Sequence, residues 1–331
     1  MSMPPRFWLR PEARFLAVLL SPFAKVVAGC AARRQKAVGW LAPVPVLCCG
    51  NLTTGGTGKT TVVLDLMARL QTQGIKVHAL TRGYKGTLKG PVRVTSDHTA
   101  QDVGDEALLL AHQGPTWVGG DRAATAQAAV KSGAQCLIMD DGFQNPTLRK
   151  TLSLLVVDGA AGLGNGHVMP AGPLREGIIA GLKRASAVLV IGEDQTDFLE
   201  RYAEYLSPKA VYTARLETTV TDLLSNKAGP YIAFAGLGRP SKFFDGLRGG
   251  GIQLLRAIAF PDHYRYQSKD MKSLLSLAEI HNAELVTTPK DAVRLPSWFR
   301  QRVKVVNVAL QWDDPSAPEK LLRALMSKAR T

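Results

Sequence analysis

Cysteine is scarce. Cys30, Cys48, Cys49 and Cys136 are the only four in 331 residues, too few for a disulfide scaffold, and no Cys-x-x-Cys pair offers a metal site. A reducing, cytosolic interior is the natural setting. Long apolar runs are scarce too. The longest near the N-terminus, Phe15 to Leu20, is soon followed by Pro22 and Lys25. A spanning helix needs about 20 mostly apolar residues, so no bilayer crossing is expected, and a signal peptide fits poorly. There is no internal repeat and no low-complexity tract. With 46% hydrophobic and 21% charged residues, the composition excludes a disordered tail, a collagen-like fibre and a multi-span membrane protein. Acidic residues are also few: 27 against 41 basic, a net charge of +14. Such an excess attracts anions, whether nucleic acid, a phosphorylated ligand or lipid headgroups.

The charge is unevenly spread. Arg6, Arg10, Arg14, Lys25, Arg33, Arg34 and Lys36 face one acid, Glu12, in the first 36 residues, which hold six of the fourteen net charges. Phe7, Trp8, Phe15, Leu19, Leu20 and Phe23 are interleaved with them. Residues 1–40 therefore read as an amphipathic basic segment, its aromatic side chains entering a lipid boundary and its Arg and Lys facing anionic headgroups. A helix packed on its own domain with a solvated basic face is the alternative.

Beyond it, short apolar runs alternate with helical patterning. Val44–Cys49, Ile75–Leu80, Cys136–Met139, Leu152–Val157 and Val188–Ile191 read as buried strands, with Lys59–Leu70, Asp105–His112 and Asp121–Ser132 as helices between them. A second alternation runs from about residue 211 through Tyr231–Ala235, Leu254–Phe260, Leu285–Thr287 and Val303–Val308 to a last helix from about Pro318. The expected class is α/β. A P-loop NTPase-type parallel-sheet domain (41–212) would be followed by a smaller α/β domain (213–331), with Glu217–Pro230 joining the halves and a cleft between them.

The first strand runs into Gly50-Asn51-Leu52-Thr53-Thr54-Gly55-Gly56-Thr57-Gly58-Lys59-Thr60 and then a helix. This is the setting of a phosphate-binding loop, where glycines admit the phosphates and backbone N–H groups at a helix N-terminus hold their charge. Thr53 through Thr61 would line the nucleotide. Lys59 would reach the β- and γ-phosphates, and the Thr60 hydroxyl would ligate Mg²⁺. The strict pattern wants Gly where Thr53 stands; Gly50, Gly55 and Gly56 are the expected sources of flexibility. A metal site also needs a carboxylate at a nearby strand end. Asp140 and Asp141 both stand there, and the sequence does not choose between them.

Seven motifs follow in order: the Gly50–Thr60 loop, Arg82-Gly83-Tyr84, Val103-Gly104-Asp105-Glu106, Asp140-Asp141-Gly142-Phe143-Gln144, Gly164-Asn165-Gly166, Pro170-Ala171-Gly172-Pro173-Leu174-Arg175-Glu176 and Phe260-Pro261-Asp262-His263-Tyr264. Together they resemble the tetraacyldisaccharide 4′-kinase family, as far as Thr288-Pro289-Lys290-Asp291. Thr61, Asn145 and Lys85 stand where that family commonly has Pro, His and Gly.

The resemblance implies ATP- and Mg²⁺-dependent phosphorylation of the 4′-hydroxyl of a tetraacylated glucosamine disaccharide 1-phosphate. It implies a peripheral enzyme at the cytoplasmic face of the inner membrane, with that lipid and an anionic membrane surface as partners. No nucleic acid and no obligate protein partner are expected. Local sequence alone reads Asp105 as an acid favoured by a helix N-terminus; the resemblance makes it the acceptor of the hydroxyl proton, paired with His263, whose ring Asp262 could orient. Glu106 would assist the metal through water. Arg175, in a rigid Gly/Pro loop, suits a bidentate contact to the transferring phosphoryl or to the 1-phosphate, with Arg82 and Arg122 as weaker candidates. The rival class is a membrane- or nucleic-acid-associated P-loop ATPase without a lipid acceptor. It would leave Asp105, His263 and Arg175 with no joint task.

Overall fold

The apolar runs form thirteen strands among the described residues, which are 5–9, 14–225 and 229–328 of a computed structural model. Arg10 and Glu12 of the basic segment, and residues 226–228 of the expected connection, lie outside them. The strands are β1 (Val46–Gly50), β2 (Val77–Thr81), β3 (Val92–Arg93), β4 (Thr116–Val118), β5 (Cys136–Asp140), β6 (Leu152–Asp158), β7 (Ala187–Ile191), β8 (Ala210–Thr218), β9 (Tyr231–Ala235), β10 (Leu254–Ala259), β11 (Glu284–Thr287), β12 (Val303–Val305) and β13 (Val308–Trp312).

Nine of them make one sheet in the order β13-β8-β7-β6-β1-β5-β2-β4-β3, and four make a second in the order β10-β9-β11-β12. Pairing is parallel except at the ends of the large sheet, where β13 meets β8 and β3 meets β4 antiparallel. β1, β5, β6 and β7 are buried at every position, as strands covered on both faces must be. One face packs under the helix Lys59–Thr72 through Val62, Leu66 and Leu70. The other packs under Arg122–Lys131 and Ile178–Arg184 through Ala126, Ala129 and Leu182. β1 lies between β5 and β6, so the connections leaving its neighbours diverge around its C-terminal end. That is where open α/β sheets bind ligands.

The chain's last part is shared between the sheets. The apolar run expected as one strand from Val303 divides: β12 stays in the small sheet, while β13 crosses back and sets Val308 opposite Thr218 and Trp312 opposite Ala214. The helix Ala317–Lys328 then buries Leu321, Leu322 and Leu325 in the core of the large sheet. The stretch 213–331 thus belongs to the large sheet at both its ends and to the small sheet between them. Apolar periodicity marks a strand but not its partner.

The N-terminal helix also departs from expectation. Arg14–Arg34 runs unbroken for 21 residues with Pro22 inside it. Phe15–Arg34 is long and apolar enough to cross a membrane by length and composition, and 11% of its apolar window is buried in the protein. Ala17 and Ala24 are buried; Phe15, Leu16, Val18, Leu19, Phe23 and Val26 are exposed. At 3.6 residues per turn the exposed set covers about half of the circumference. Contacts near both ends reach loops of the large sheet: the Trp8 indole donates to the Pro170 carbonyl (3.1 Å) and the Gln35 amide to the Gln144 carbonyl (2.7 Å).

Candidate active site

β1 ends at Gly50, and Gly58 caps the following helix with φ 84°. The positive φ angles of the loop fall at Gly55 and Gly58 rather than Gly50, so these two supply the freedom a side chain would forbid. Thr53, standing where the strict pattern has Gly, forms a bridge to Leu174. Thr54 N–H donates to the Pro173 carbonyl (2.8 Å) and Arg175 N–H to the Leu52 carbonyl (2.8 Å). The Pro173–Arg175 segment thereby straps the loop. A small open cleft lies against Thr53–Thr57, with Asp158 and Arg239 on its other walls. The Thr57 hydroxyl is buried without a hydrogen-bond partner, and Thr61 lies in the first turn of the helix.

The two acids at the end of β5 have different surroundings. Asp140 is buried; its Oδ2 accepts from the Thr60 hydroxyl (3.0 Å), and its Oδ1 is buried without a partner. Burial first, then the nearby Glu106 carboxylate, pushes its pKa up to about 7. Asp141 follows in a left-handed conformation, φ 53°. It lies 3.5 Å from Lys59 Nζ and accepts from the Arg175 guanidinium at 2.9 Å on both oxygens. Burial would raise Asp141, but Lys59 and then Arg175 outweigh it and hold the carboxyl below its usual range.

Among the described residues no three His, Cys, Asp or Glu side chains cluster as a metal cage. Mg²⁺ beside a nucleotide needs few protein ligands, because water and phosphate oxygens fill the rest of its shell. Asp140 and Thr60 fit that need, since a buried carboxylate oxygen with no protein partner stands beside a hydroxyl.

Asp105 opens the helix Asp105–Gln113. Gly104 precedes it at φ 86°, where a Cβ would come within 2.5 Å of the Tyr84 carbonyl. Glycine therefore lets this helix end approach the Tyr84 turn. His263 lies between β10 and the helix Ser268–Ile280, and its Nδ1 is 2.7 Å from Asp105 Oδ2. The Tyr84 ring meets the imidazole edgewise, with centroids 5.5 Å apart. Asp262 Oδ2 is 3.7 Å from His263 Nε2, beyond hydrogen-bond range. Burial would raise the Asp105 pKa; the His263 hydrogen bond, then Lys290, reverse this and set it below the ordinary carboxylate value. Glu106 pairs with Lys290 (3.0 Å). The expected pairing of Asp105 with His263 is thus present across the two sheets.

A family model described as tetraacyldisaccharide-1-P 4′-kinase (LpxK) matches residues 16–327. A tetraacyldisaccharide 4′-kinase of Gluconacetobacter diazotrophicus is 53% identical over 98% of both chains, and one from Gluconobacter oxydans 49% identical over 98% of both. The chain belongs to this kinase family. An "apo"-form LpxK from Aquifex aeolicus solved in complex with ATP is 26% identical, with a TM-score of 0.75 over 94% of this chain and all of that one.

Of the three residues that depart from the expected motifs, Thr61 lies in the helix Lys59–Thr72, and Asn145 and Lys85 lie at turns. Asn145 accepts from Thr147 N–H (3.1 Å) and its hydroxyl (3.0 Å), closing a turn. Lys85 has φ 65° and donates to the Asp262 carbonyl (3.4 Å). Arg122 is buried and donates to the carbonyls of Thr81 and Gly119, and burial lowers its pKa to about 10. Sequence reasoning did not find Lys290 and Arg294, which approach the acids of Gly104-Asp105-Glu106 from the small sheet. It also missed the buried Asp158, gripped by Lys242 (2.9 Å) and Arg239 (3.2 Å). For Lys290 the available signal is the Thr288-Pro289-Lys290-Asp291 motif.

Proposed function

We propose that this kinase transfers the γ-phosphoryl group of ATP to the 4′-hydroxyl of a tetraacylated glucosamine disaccharide 1-phosphate, a step of lipid A biosynthesis. The observation that carries this reading is the 2.7 Å Asp105–His263 contact in a chain that also holds a P-loop. A bare ATPase has no need of a carboxylate–imidazole pair for an acceptor hydroxyl.

The loop amides and Lys59 hold the phosphates, while Thr53–Thr57 line the nucleotide cleft. Thr60 and Asp140 would hold Mg²⁺, with Glu106 acting through water; the ion supplies charge neutralisation on the β- and γ-phosphate oxygens. Asp105 accepts the hydroxyl proton as the oxygen–phosphorus bond forms and the bond from Pγ to the bridging oxygen of ADP breaks. His263 holds the Asp105 carboxylate in place and shares the proton as one unit with it. Arg175, already beside Asp141, is within the same cluster as Lys59 and suits a contact to the transferring phosphoryl group.

Incubating the protein with γ-labelled ATP, Mg²⁺ and either the disaccharide lipid or DNA tests the assignment. Label on the lipid is expected. DNA-stimulated hydrolysis with no labelled lipid would instead identify the bare ATPase.

The exposed apolar arc of Arg14–Arg34, flanked by Arg33 and Arg34, supports attachment to the cytoplasmic face of the inner membrane, where the acyl chains of the substrate reside. Replacing Phe15, Leu19, Phe23 and Val26 together with Gln should release the protein from anionic vesicles, as measured by co-sedimentation, while ATP binding persists. Unchanged sedimentation would move the attachment elsewhere. Deleting residues 1–36 is the cruder version, because it also removes the Trp8 and Gln35 contacts to the catalytic loops.

A further inference from the structure

The Thr288-Pro289-Lys290-Asp291 motif has no part in the reaction as derived above, yet it begins the turn that carries Arg294. The Arg294 side chain is 5% exposed, and its donors are committed in several directions. Nε donates to the Lys290 carbonyl (3.0 Å), Nη1 to the Tyr264 carbonyl (3.1 Å), and Nη2 to the Gly236 carbonyl (3.1 Å) and Asp291 Oδ1 (2.6 Å). Asp291 is itself wholly buried. It also accepts from Gly236 N–H (2.8 Å), the Tyr266 hydroxyl (2.6 Å) and the Thr288 hydroxyl (2.6 Å). The guanidinium is therefore seated in one orientation.

Two of those carbonyls bear on His263. Tyr264 is the next residue, and the Gly236 carbonyl also accepts from His263 N–H (3.2 Å). His263 has φ 58°, a left-handed conformation that a side chain with a Cβ keeps only when its surroundings hold it there. On its other side Arg294 Nε stands 3.7 Å from Asp105 Oδ2, the same oxygen that His263 Nδ1 contacts at 2.7 Å. One buried side chain thus touches the backbone that sets the imidazole and faces the carboxylate that receives it.

We propose that Arg294 is a positioning residue of the phosphoryl transfer, fixing the backbone around His263 and holding the Asp105 carboxylate against the imidazole across the two sheets. The inference rests on the kinase reading above. A lysine cannot take the place of Arg294, because an ammonium is a point charge without the planar fork that reaches three carbonyls and a carboxylate together.

The test uses the full-length protein in detergent micelles with the disaccharide lipid and γ-labelled ATP. Arg294→Lys should lower kcat by about 30- to 100-fold, the scale of a misplacement near 1 Å, with the KM for ATP within about two-fold of wild type because the P-loop is untouched. In a His263→Ala background Arg294→Lys should cause no further loss, since the group it positions is gone. Losses that multiply in the double variant, a kcat within about three-fold of wild type, or a KM rise that accounts for the whole effect would each overturn the proposal. Should Arg294→Lys fail to fold, Asp291→Asn, which loosens the seat of the guanidinium, carries the same expectation. Absence of labelled lipid with the wild-type protein rejects the kinase reading itself, whereas labelled lipid from wild type and Arg294→Lys alike rejects only this inference.

Discussion

Two pairs of adjacent acids face the same chemistry from different supports. Asp105 and Glu106 begin a helix and are met by His263, Lys290 and Arg294, all from the small sheet or its loops. Asp140 and Asp141 end β5 and are met by Thr60, Lys59 and Arg175, all from the large sheet and its loops. The first pair is complete only when both sheets are in place; the second is complete within one. Within the second pair the partners are unequal. Asp141 takes both cations, and Asp140 is left with a hydroxyl and a bare buried oxygen. Adjacent carboxylates of identical type are thus given different surroundings, Asp141 standing at a left-handed turn between two cations and Asp140 beside a hydroxyl. A buried carboxylate without a cation is costly and is therefore the one a metal ion would relieve.

The largest effect should come from the pair that spans the sheets. Asp105→Ala is expected to lower kcat by roughly three orders of magnitude or more, within or above the range for a general base. ATP binding, measured by calorimetry, should persist because no P-loop contact is lost. Turnover within ten-fold of wild type would remove Asp105 from the proton-accepting role and leave the cross-sheet pair a structural contact.

The pair at the end of β5 should split when its members are changed one at a time. Asp140→Asn is expected to lower kcat by roughly 10²–10³-fold, the scale of losing one aligned electrostatic group, and to raise the Mg²⁺ concentration that gives half-maximal rate. Asp141→Asn should cost about ten-fold, with the Mg²⁺ requirement unchanged, because it frees Lys59 and Arg175 without touching the Thr60–Asp140 pair. Titrating Mg²⁺ in both variants decides the matter; a shifted requirement in Asp141→Asn alone would reverse the assignment.

How much of this was legible in the sequence follows from how local each feature is. The P-loop and the strand ending in two acids are contiguous, so their residue types in order indicated phosphate and metal chemistry. Which of the two acids would suit a metal turns on where Lys59 and Arg175 stand, since both meet Asp141, and no residue type encodes that. Asp105 and His263 are 158 positions apart, and local patterning favoured a helix-end acid and a structural histidine; only the ordered family motifs brought them together. Arg294 lay beyond even that reach, because its role comes from backbone carbonyls on two separate loops. The partition of Val303–Trp312 between two sheets was hidden for a related reason: a run of apolar residues records burial and says nothing of which edge it joins.

The smallest effect is on stability, and its sign separates the two pairs most cleanly. In the nucleotide- and metal-free protein the Asp140 carboxyl has a pKa of about 7 against an ordinary value of 3.8. The native state therefore keeps a proton that the unfolded state releases as pH rises from about 4 to about 7, and stability falls across that window. Asp140→Asn has no such proton to lose. Its melting temperature, measured in a chelating buffer, should match wild type near pH 4 and exceed it by roughly 2–5 °C at pH 8. Asp105 is shifted the other way, below 3.8. Its ionised form stabilises the fold above that value, and the contribution is lost only as pH falls through the lowered pKa. Asp105→Asn should accordingly melt lower than wild type at pH 8, since His263 and Arg294 lose the charge they surround. If both variants moved in the same direction at pH 8, the two acid pairs would not differ in electrostatic burden, and the assignment of Asp140 as the carboxylate awaiting a metal ion would fail.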